Sequence, residues 1–264
     1  MFKTLRFSLL AAGIAVACQA HAAPAGDLPL MPWPQQVELP ETQGSLPLTN
    51  AVSIAISGDK LDGAIDRWRQ RISLQTGWQL QPAATKPEKP TIAIQIKHAV
   101  DPLPKADSDE SYALSVTADG VKLTANTRFG AMRGMETVLQ LIQNGPQNTS
   151  IPYVDIKDVP RFPWRGLLLD SARHFMPVND ILRQLDGMAA AKLNVFHWHL
   201  TDDQGWRFAS THYPKLQQLA SDGQFYTQDQ MKQLCAMPPR WAFAWCRKST
   251  CLGTAQRWRW HIRS

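Results

Sequence analysis

Two short runs of this sequence concentrate side chains able to handle a polyhydroxylated substrate. The first is Asp170-Ser171-Ala172-Arg173-His174-Phe175. The second is His197-Trp198-His199-Leu200-Thr201-Asp202-Asp203-Gln204-Gly205-Trp206-Arg207. A guanidinium presents its N–H donors in a fixed fork, and an ionised carboxylate only accepts, so Arg173 with Asp202 suits hydrogen bonding to vicinal hydroxyls. His199 can donate or accept beside them. The neighbouring Trp198 and Trp206 offer flat apolar faces to a sugar ring. Other chemistry is open to the same residues. His197 and His199 fall on one face of a strand and could ligate a metal with Asp202 or Asp203, although no third ligand of the right type is obvious. They could also be buried histidines hydrogen-bonded to carboxylates, and Asp202 and Asp203 could be turn residues.

The elements around the two runs must bring them together. Residues 166–169 are a continuous apolar run, as in a parallel strand buried on both faces. Residues 179–192 have helical periodicity with Ile181, Leu185, Met188 and Ala189 on the buried stripe. Residues 194–200 read as a second strand. Strand, helix, strand is the rhythm of a parallel sheet or barrel. In such architectures ligands bind at the carboxyl ends of the strands, which puts Arg173, His199 and Asp202 on one rim. Thr227 with Gln230 has capping-box spacing and opens a helix of fewer than three turns before Pro238-Pro239.

The preceding residues read as an α+β unit with no catalytic constellation of its own. Residues 23–48 are Pro-rich and extended, 51–57 alternate like a strand, and 91–96 are a second strand. Residues 61–76 are helical, with Leu61, Ile65, Trp68 and Ile72 on one face. Strands at 112–116 and 121–124 flank a turn at Asp119-Gly120. Residues 132–142 are a second helix with Met132, Met135, Val138, Leu139 and Ile142 inward. Residues 158–163 read as the linker out.

The chain ends are unusual. Lys3 and Arg6, the apolar stretch 7–17 and Ala20-His21-Ala22 make an export signal cleaved after Ala22, so the mature protein is expected to be periplasmic or secreted. A buried N-terminal helix, or lipid attachment at Cys18, are the rival readings. All of the formal charge of +6 lies in residues 235–264, which carry six Lys/Arg and no Asp or Glu. Cys235, Cys246 and Cys251 lie there too. The body of the chain carries no cysteine, although its expected compartment permits disulfides.

At this point the residues resemble a known family. Arg165-Gly166, Leu169-Asp170, Arg173-His174-Phe175, Lys192-Leu193-Asn194, the run from His197 to Arg207, and Tyr226-Thr227 are similar to glycoside hydrolase family 20, the β-N-acetylhexosaminidases. The resemblance covers roughly residues 24–234. It implies an α+β N-terminal domain followed by the first βαβ part of a (β/α)8 TIM barrel, here incomplete. The implied layout is a signal peptide at 1–22, a non-catalytic domain at 23–158, a catalytic-barrel fragment at 159–234 and a tail at 235–264. The implied activity is exo-cleavage of terminal N-acetylhexosamine, with Arg173, Asp202 and His199 binding substrate. The implied mechanism is substrate-assisted: the acetamido oxygen attacks the anomeric carbon, a Glu protonates the leaving oxygen, and an adjacent Asp orients the acetamido group. That Asp-Glu pair belongs after a later strand, and none follows here. The chain by itself is therefore expected to be inactive. The alternative is a non-catalytic carbohydrate-binding remnant.

The tail shows neither the strand nor the Pro-Gly-His motif of the family in its own reading frame. A one-base shift changes that. Read so that each codon borrows its first base from the codon before, residues 246–254 can spell P-E-I-D-V-P-G-H. Met237-Pro238, Trp241-Ala242, Trp245-Cys246 and Trp260-His261 then force Ala, Gly, Val and Ala. Loss of one base in the Leu234–Cys235 codons would produce the observed tail. The rival is a genuine basic-aromatic tail for anionic lipid or nucleic acid. The expected partner is an N-acetylhexosamine-containing oligosaccharide, with no nucleic acid, no membrane beyond export, no cofactor and no metal.

Overall fold

The computed structural model describes residues 28–249 except 81–88, 102, 106, 146–147, 237–240 and 242–243. The expected export signal lies outside the described residues, as does most of the tail. The first half is built on a six-stranded sheet in the order β1 (Gln36–Glu38), β9 (Val154–Asp158), β5 (Tyr112–Thr117), β6 (Gly120–Ala125), β4 (Ile92–Ile96), β3 (Ile54–Ser57). Helices α1 (Asp62–Thr76) and α2 (Arg128–Leu141) accompany it. A smaller sheet joins β2 (Ser45–Leu48), β8 (Thr149–Pro152) and β7 (Gln143–Asn144). Alternation decides which face is covered. Tyr112, Leu114 and Val116 of β5 and Val121, Leu123 and Ala125 of β6 are buried, while the residues between them are not. Helix α2 is buried along most of its length. It lies so close to the hairpin that a Cβ on Gly134 would meet Leu123 Cδ1 at 2.3 Å.

Several expectations shift. The hairpin turns at Ala118-Asp119, because Gly120 is already paired with Thr117. Helix α2 begins four residues earlier than expected, capped by Thr127, whose hydroxyl accepts from Phe129 N and Gly130 N. Strands β1, β2, β8 and β9 were not read from the sequence. Each is short or edged by proline, and each exists through pairing with a distant partner, such as β9 with β5.

The second half contains β10 (Gly166–Asp170), α3 (Val178–Ala190) and β11 (Val195–Asp202), with β10 and β11 parallel and in register from Gly166↔Val195 to Asp170↔His199. Short strand β12 (Gly205–Trp206) folds back on the end of β11. Helices α4 (Lys215–Leu219) and α5 (Gln228–Ala236) follow. The expected stripe of Ile181, Leu185, Met188 and Ala189 is buried. The capping box is formed: Gln230 N donates to Thr227 Oγ1 at 3.2 Å, and Thr227 N donates to Gln230 Oε1 at 2.8 Å.

Two expectations are overturned. Strand β10 is not buried on both faces, since Leu168 is 57 % exposed. Among the described residues only β11 pairs with it, so one edge and part of one face are uncovered. The tail does hold a strand in its own frame: β13 (Ala244–Ser249) runs parallel to β11 on the edge away from β10. Six residues without Gly, Pro or acid suffice where a neighbouring strand offers an open ladder of backbone groups.

Polar groups join the two halves. Glu110 lies between Arg133, whose Nη2 donates to Oε1 at 2.6 Å, and Arg165, which holds Oε2. Arg165 Nε donates to Lys192 O at 3.0 Å. Lys192 Nζ donates to Thr137 Oγ1 at 2.6 Å and to Tyr112 OH at 3.2 Å. Lys192 is 3 % exposed. Burial, opposed by the charge of Asp158, pushes its ammonium down to about 8.

Candidate functional site

The parallel register sets Asp170 beside His199 at the carboxyl ends of β10 and β11. Beyond Asp170 the chain turns sharply, because Asp170 Oδ1 accepts from Ala172 N at 3.0 Å and from Arg173 N at 3.1 Å. This local side-chain-to-backbone bonding is the usual behaviour of Asp in turns. It delivers the Arg173 side chain across the rim. Arg173 Nη1 donates to Asp170 Oδ2 at 2.6 Å and Nη2 donates to Asp202 Oδ2 at 2.8 Å. His199 Nε2 lies 2.9 Å from the same Asp202 oxygen. Asp202 Oδ1 accepts from Asp203 N at 2.9 Å. The structure thus brings together Arg173, His199 and Asp202.

The electrostatics follow from these contacts. The Asp203 amide, then the His199 ring, hold the Asp202 carboxyl down at about 2. Asp202 is therefore an acceptor at any ordinary pH. Burial pushes the Asp170 carboxyl up, but the donations from Arg173 outweigh it and leave it below the usual range. The Arg173 side chain is 53 % exposed and commits two N–H groups to these carboxylates. A guanidinium has five, so the remainder face solvent or a ligand. Such a rim can offer charge-assisted hydrogen bonds to hydroxyls.

Of the two tryptophans, Trp198 does not take the expected place at the rim. Trp198 is fully buried, with Nε1 donating to Ser171 Oγ at 2.9 Å and its ring 4.6 Å from that of Tyr226. It is a core residue and offers no face to a sugar. Trp206 is half-buried, stacked on Phe208 at 4.6 Å. Tyr226 donates to Met176 O at 2.6 Å and fixes the chain that leaves the rim. Among the described residues no group of three or more His, Cys, Asp or Glu could hold a metal. Asp170 was visible only as part of a motif. Its spacing of three from Arg173 was the available signal of an Asp turn.

The Asp-Glu dipeptide at 109–110 lies away from this rim. Asp109 accepts from Ser111 N and Asn126 Nδ2, and Glu110 is enclosed by Arg133 and Arg165 at the junction of the two halves.

Comparison with known proteins bears on the same residues. The model described as glycosyl hydrolase family 20, domain 2, matches residues 27–159, and that of the glycosyl hydrolase family 20 catalytic domain matches residues 162–238. The beta-hexosaminidase subunit alpha of Bos taurus is 36 % identical over 228 residues, covering 81 % of this chain and 41 % of its own. The X-ray structure of a Flavobacterium johnsoniae chitobiase superimposes with a TM-score of 0.77 at 37 % identity, covering 83 % of this chain and 34 % of its own. An exo beta-N-acetylglucosaminidase from Vibrio harveyi, solved in complex with N-acetylglucosamine, gives 0.69 at 25 % identity, with coverages of 83 % and 36 %. The chain spans less than half the length of each of these relatives.

Proposed function

The chain belongs to glycosyl hydrolase family 20, and from that premise we propose that it carries the hydroxyl-binding part of an exo-β-N-acetylhexosaminidase active site. Arg173, Asp202 and His199 take the outer hydroxyls of a terminal N-acetylhexosamine on a chito-oligosaccharide or glycoconjugate. The observation that carries this reading is the cluster at the strand ends, where Arg173 Nη2 and His199 Nε2 converge on one oxygen of Asp202. A relative bound to N-acetylglucosamine supports the choice of sugar.

Hydrolysis in this reading is substrate-assisted. The substrate's acetamido oxygen attacks the anomeric carbon and forms a bond to it as the glycosidic bond breaks. A Glu donates its proton to the departing oxygen, and a neighbouring Asp orients the acetamido group. Water then opens the ring so formed. The part of Arg173 and Asp202 is to fix the sugar so that this attack is in line. The dipeptide Asp109-Glu110 cannot supply the acid, because Glu110 is held by two arginines at the domain junction. The protein is placed outside the cytoplasm on the export-signal pattern of residues 1–22, and the complete enzyme is a (β/α)8 barrel. The tail from residue 235 is read as a frameshifted one, on its excess of Lys and Arg without Asp or Glu and on the P-E-I-D-V-P-G-H that a single base uncovers.

The test is to sequence the gene across the Gln233–Ala236 codons, restore one base, and assay both products on an aryl N-acetyl-β-glucosaminide. Turnover by the restored product alone is expected. Turnover by the 264-residue chain, or none by a folded restored product, contradicts the proposal.

A further inference from the structure

Arg207 follows β12 directly and is 4 % exposed. Its guanidinium is surrounded by carbonyls. Nε donates to Ser171 O and to Ala172 O, each at 3.1 Å, and Nη2 donates to Ala172 O at 2.9 Å. Nη1 donates to Ser221 O at 2.6 Å and to Gln224 O at 3.2 Å. A buried cation is tolerated only where every donor finds an acceptor. Here the acceptors come from two separate loops, one after β10 and one between α4 and α5.

The path of the guanidinium explains the residue two places earlier. A Cβ on Gly205 would lie 2.5 to 2.6 Å from Arg207 atoms Cζ, Nε and Nη2. The Gly-Trp-Arg string is thus one device, in which the glycine leaves room for the arginine to cross β12.

The device acts next to the rim. Ala172, whose carbonyl takes two of the donations, precedes Arg173 directly. The amides of Ala172 and Arg173 are held from the other side by Asp170 Oδ1. Residues 171–173 are therefore gripped by their carbonyls through Arg207 and by their amides through Asp170. We propose that Arg207 is a positioning residue: it fixes the backbone from which Arg173 reaches Asp202, and it ties the 221–224 loop to that backbone. Its consequence for sugar binding rests on the function proposed above, but the positioning itself does not.

The test uses the full chain and two variants, Arg207→Lys and Gly205→Ala. The second keeps the guanidinium while crowding its path. Amide hydrogen exchange and the titration of the Asp170 carboxyl are read by NMR. In both variants Ala172 and Arg173 amides should exchange at least about tenfold faster, and Asp170 should titrate closer to the ordinary carboxylate range. The amides of β5 and β6 should keep their rates. Unchanged rates at Ala172 and Arg173, or an increase spread evenly over the whole chain, would overturn the proposal. No sugar is present in the experiment, so a failure of the sugar assignment would show separately, as absent hydrolysis by a folded frame-restored product.

Discussion

Arg173 and Asp202 stand 29 residues apart in sequence, yet Arg173 Nη2 donates to Asp202 Oδ2 at 2.8 Å across the ends of β10 and β11. The contact exists because two parallel strands end in register and because Asp170 turns the chain back over the rim. Both partners are partly open to solvent, so the pair contributes little to stability. Its geometry suits ligand binding better than scaffolding. Asp202→Asn should accordingly leave the melting temperature essentially unchanged while lowering kcat/KM of the frame-restored enzyme. A large fall in melting temperature, with kcat/KM preserved, would assign the pair to the fold.

Glu110 holds the two halves together. Replacing it by Ala removes the carboxylate that the buried Arg133 and Arg165 share at the junction. Breaking a buried pair from one side costs about 3–5 kcal/mol. Urea denaturation of Glu110→Ala should show a loss of that order, with the 165–194 segment losing exchange protection first. A loss below about 1 kcal/mol, within the range of an exposed pair, would contradict the role.

Lys192 sets a pH dependence of stability. Its ammonium is pushed down to about 8 from 10.5 in the folded chain. Between those values the unfolded chain binds more protons, so stability rises with pH. Burial also pushes the Tyr112 hydroxyl up from 10.0. The folded phenol then stays protonated while the unfolded one ionises, so stability falls above pH 10. The rise is thus confined to about pH 8–10, and its full extent is on the order of 3 kcal/mol. Lys192→Met should flatten it and be at least as stable at pH 7. A variant that keeps the rise would place its origin elsewhere.

The two halves should differ in independence. Residues 28–156 enclose a core of their own around Trp68, Ile94, Leu123 and Leu141. Strand β10, by contrast, leaves Leu168 57 % exposed, and open strand edges aggregate. A fragment of residues 23–158 should unfold cooperatively on heating, whereas one of residues 159–264 should be insoluble alone. A soluble, cooperatively folded second fragment would contradict this.

Local signals were legible where side-chain periodicity or capping alone determines the outcome. The stripe of α3 and the Thr227–Gln230 box are of this kind. So was the rim, because strand ends in a βα unit converge whatever the loops do. What stayed hidden depends on distant partners. Strand β9 exists through β5, and nothing in residues 154–158 announces that pairing. Trp198 sits in the same motif as His199, but strand alternation and the packing of Tyr226 turn it into the core. The apolar run of β10 implied cover on both faces, and cover depends on neighbours the run itself cannot specify. Strand β13 forms because β11 offers it an edge, a cause that lies outside the tail.

Whether Arg173 binds a hydroxyl of the terminal sugar can be read from one kinetic cycle. The frame-restored enzyme and its Arg173→Ala variant are assayed on an aryl N-acetyl-β-glucosaminide and on its 3-deoxy and 4-deoxy analogues. Losing hydrogen bonds to a charged group costs roughly 10- to 150-fold in kcat/KM. That loss is expected for the variant on the parent sugar, with little further loss when the hydroxyl bound by Arg173 is also absent. Losses that simply multiply for both analogues, or no loss on replacing Arg173, would contradict it.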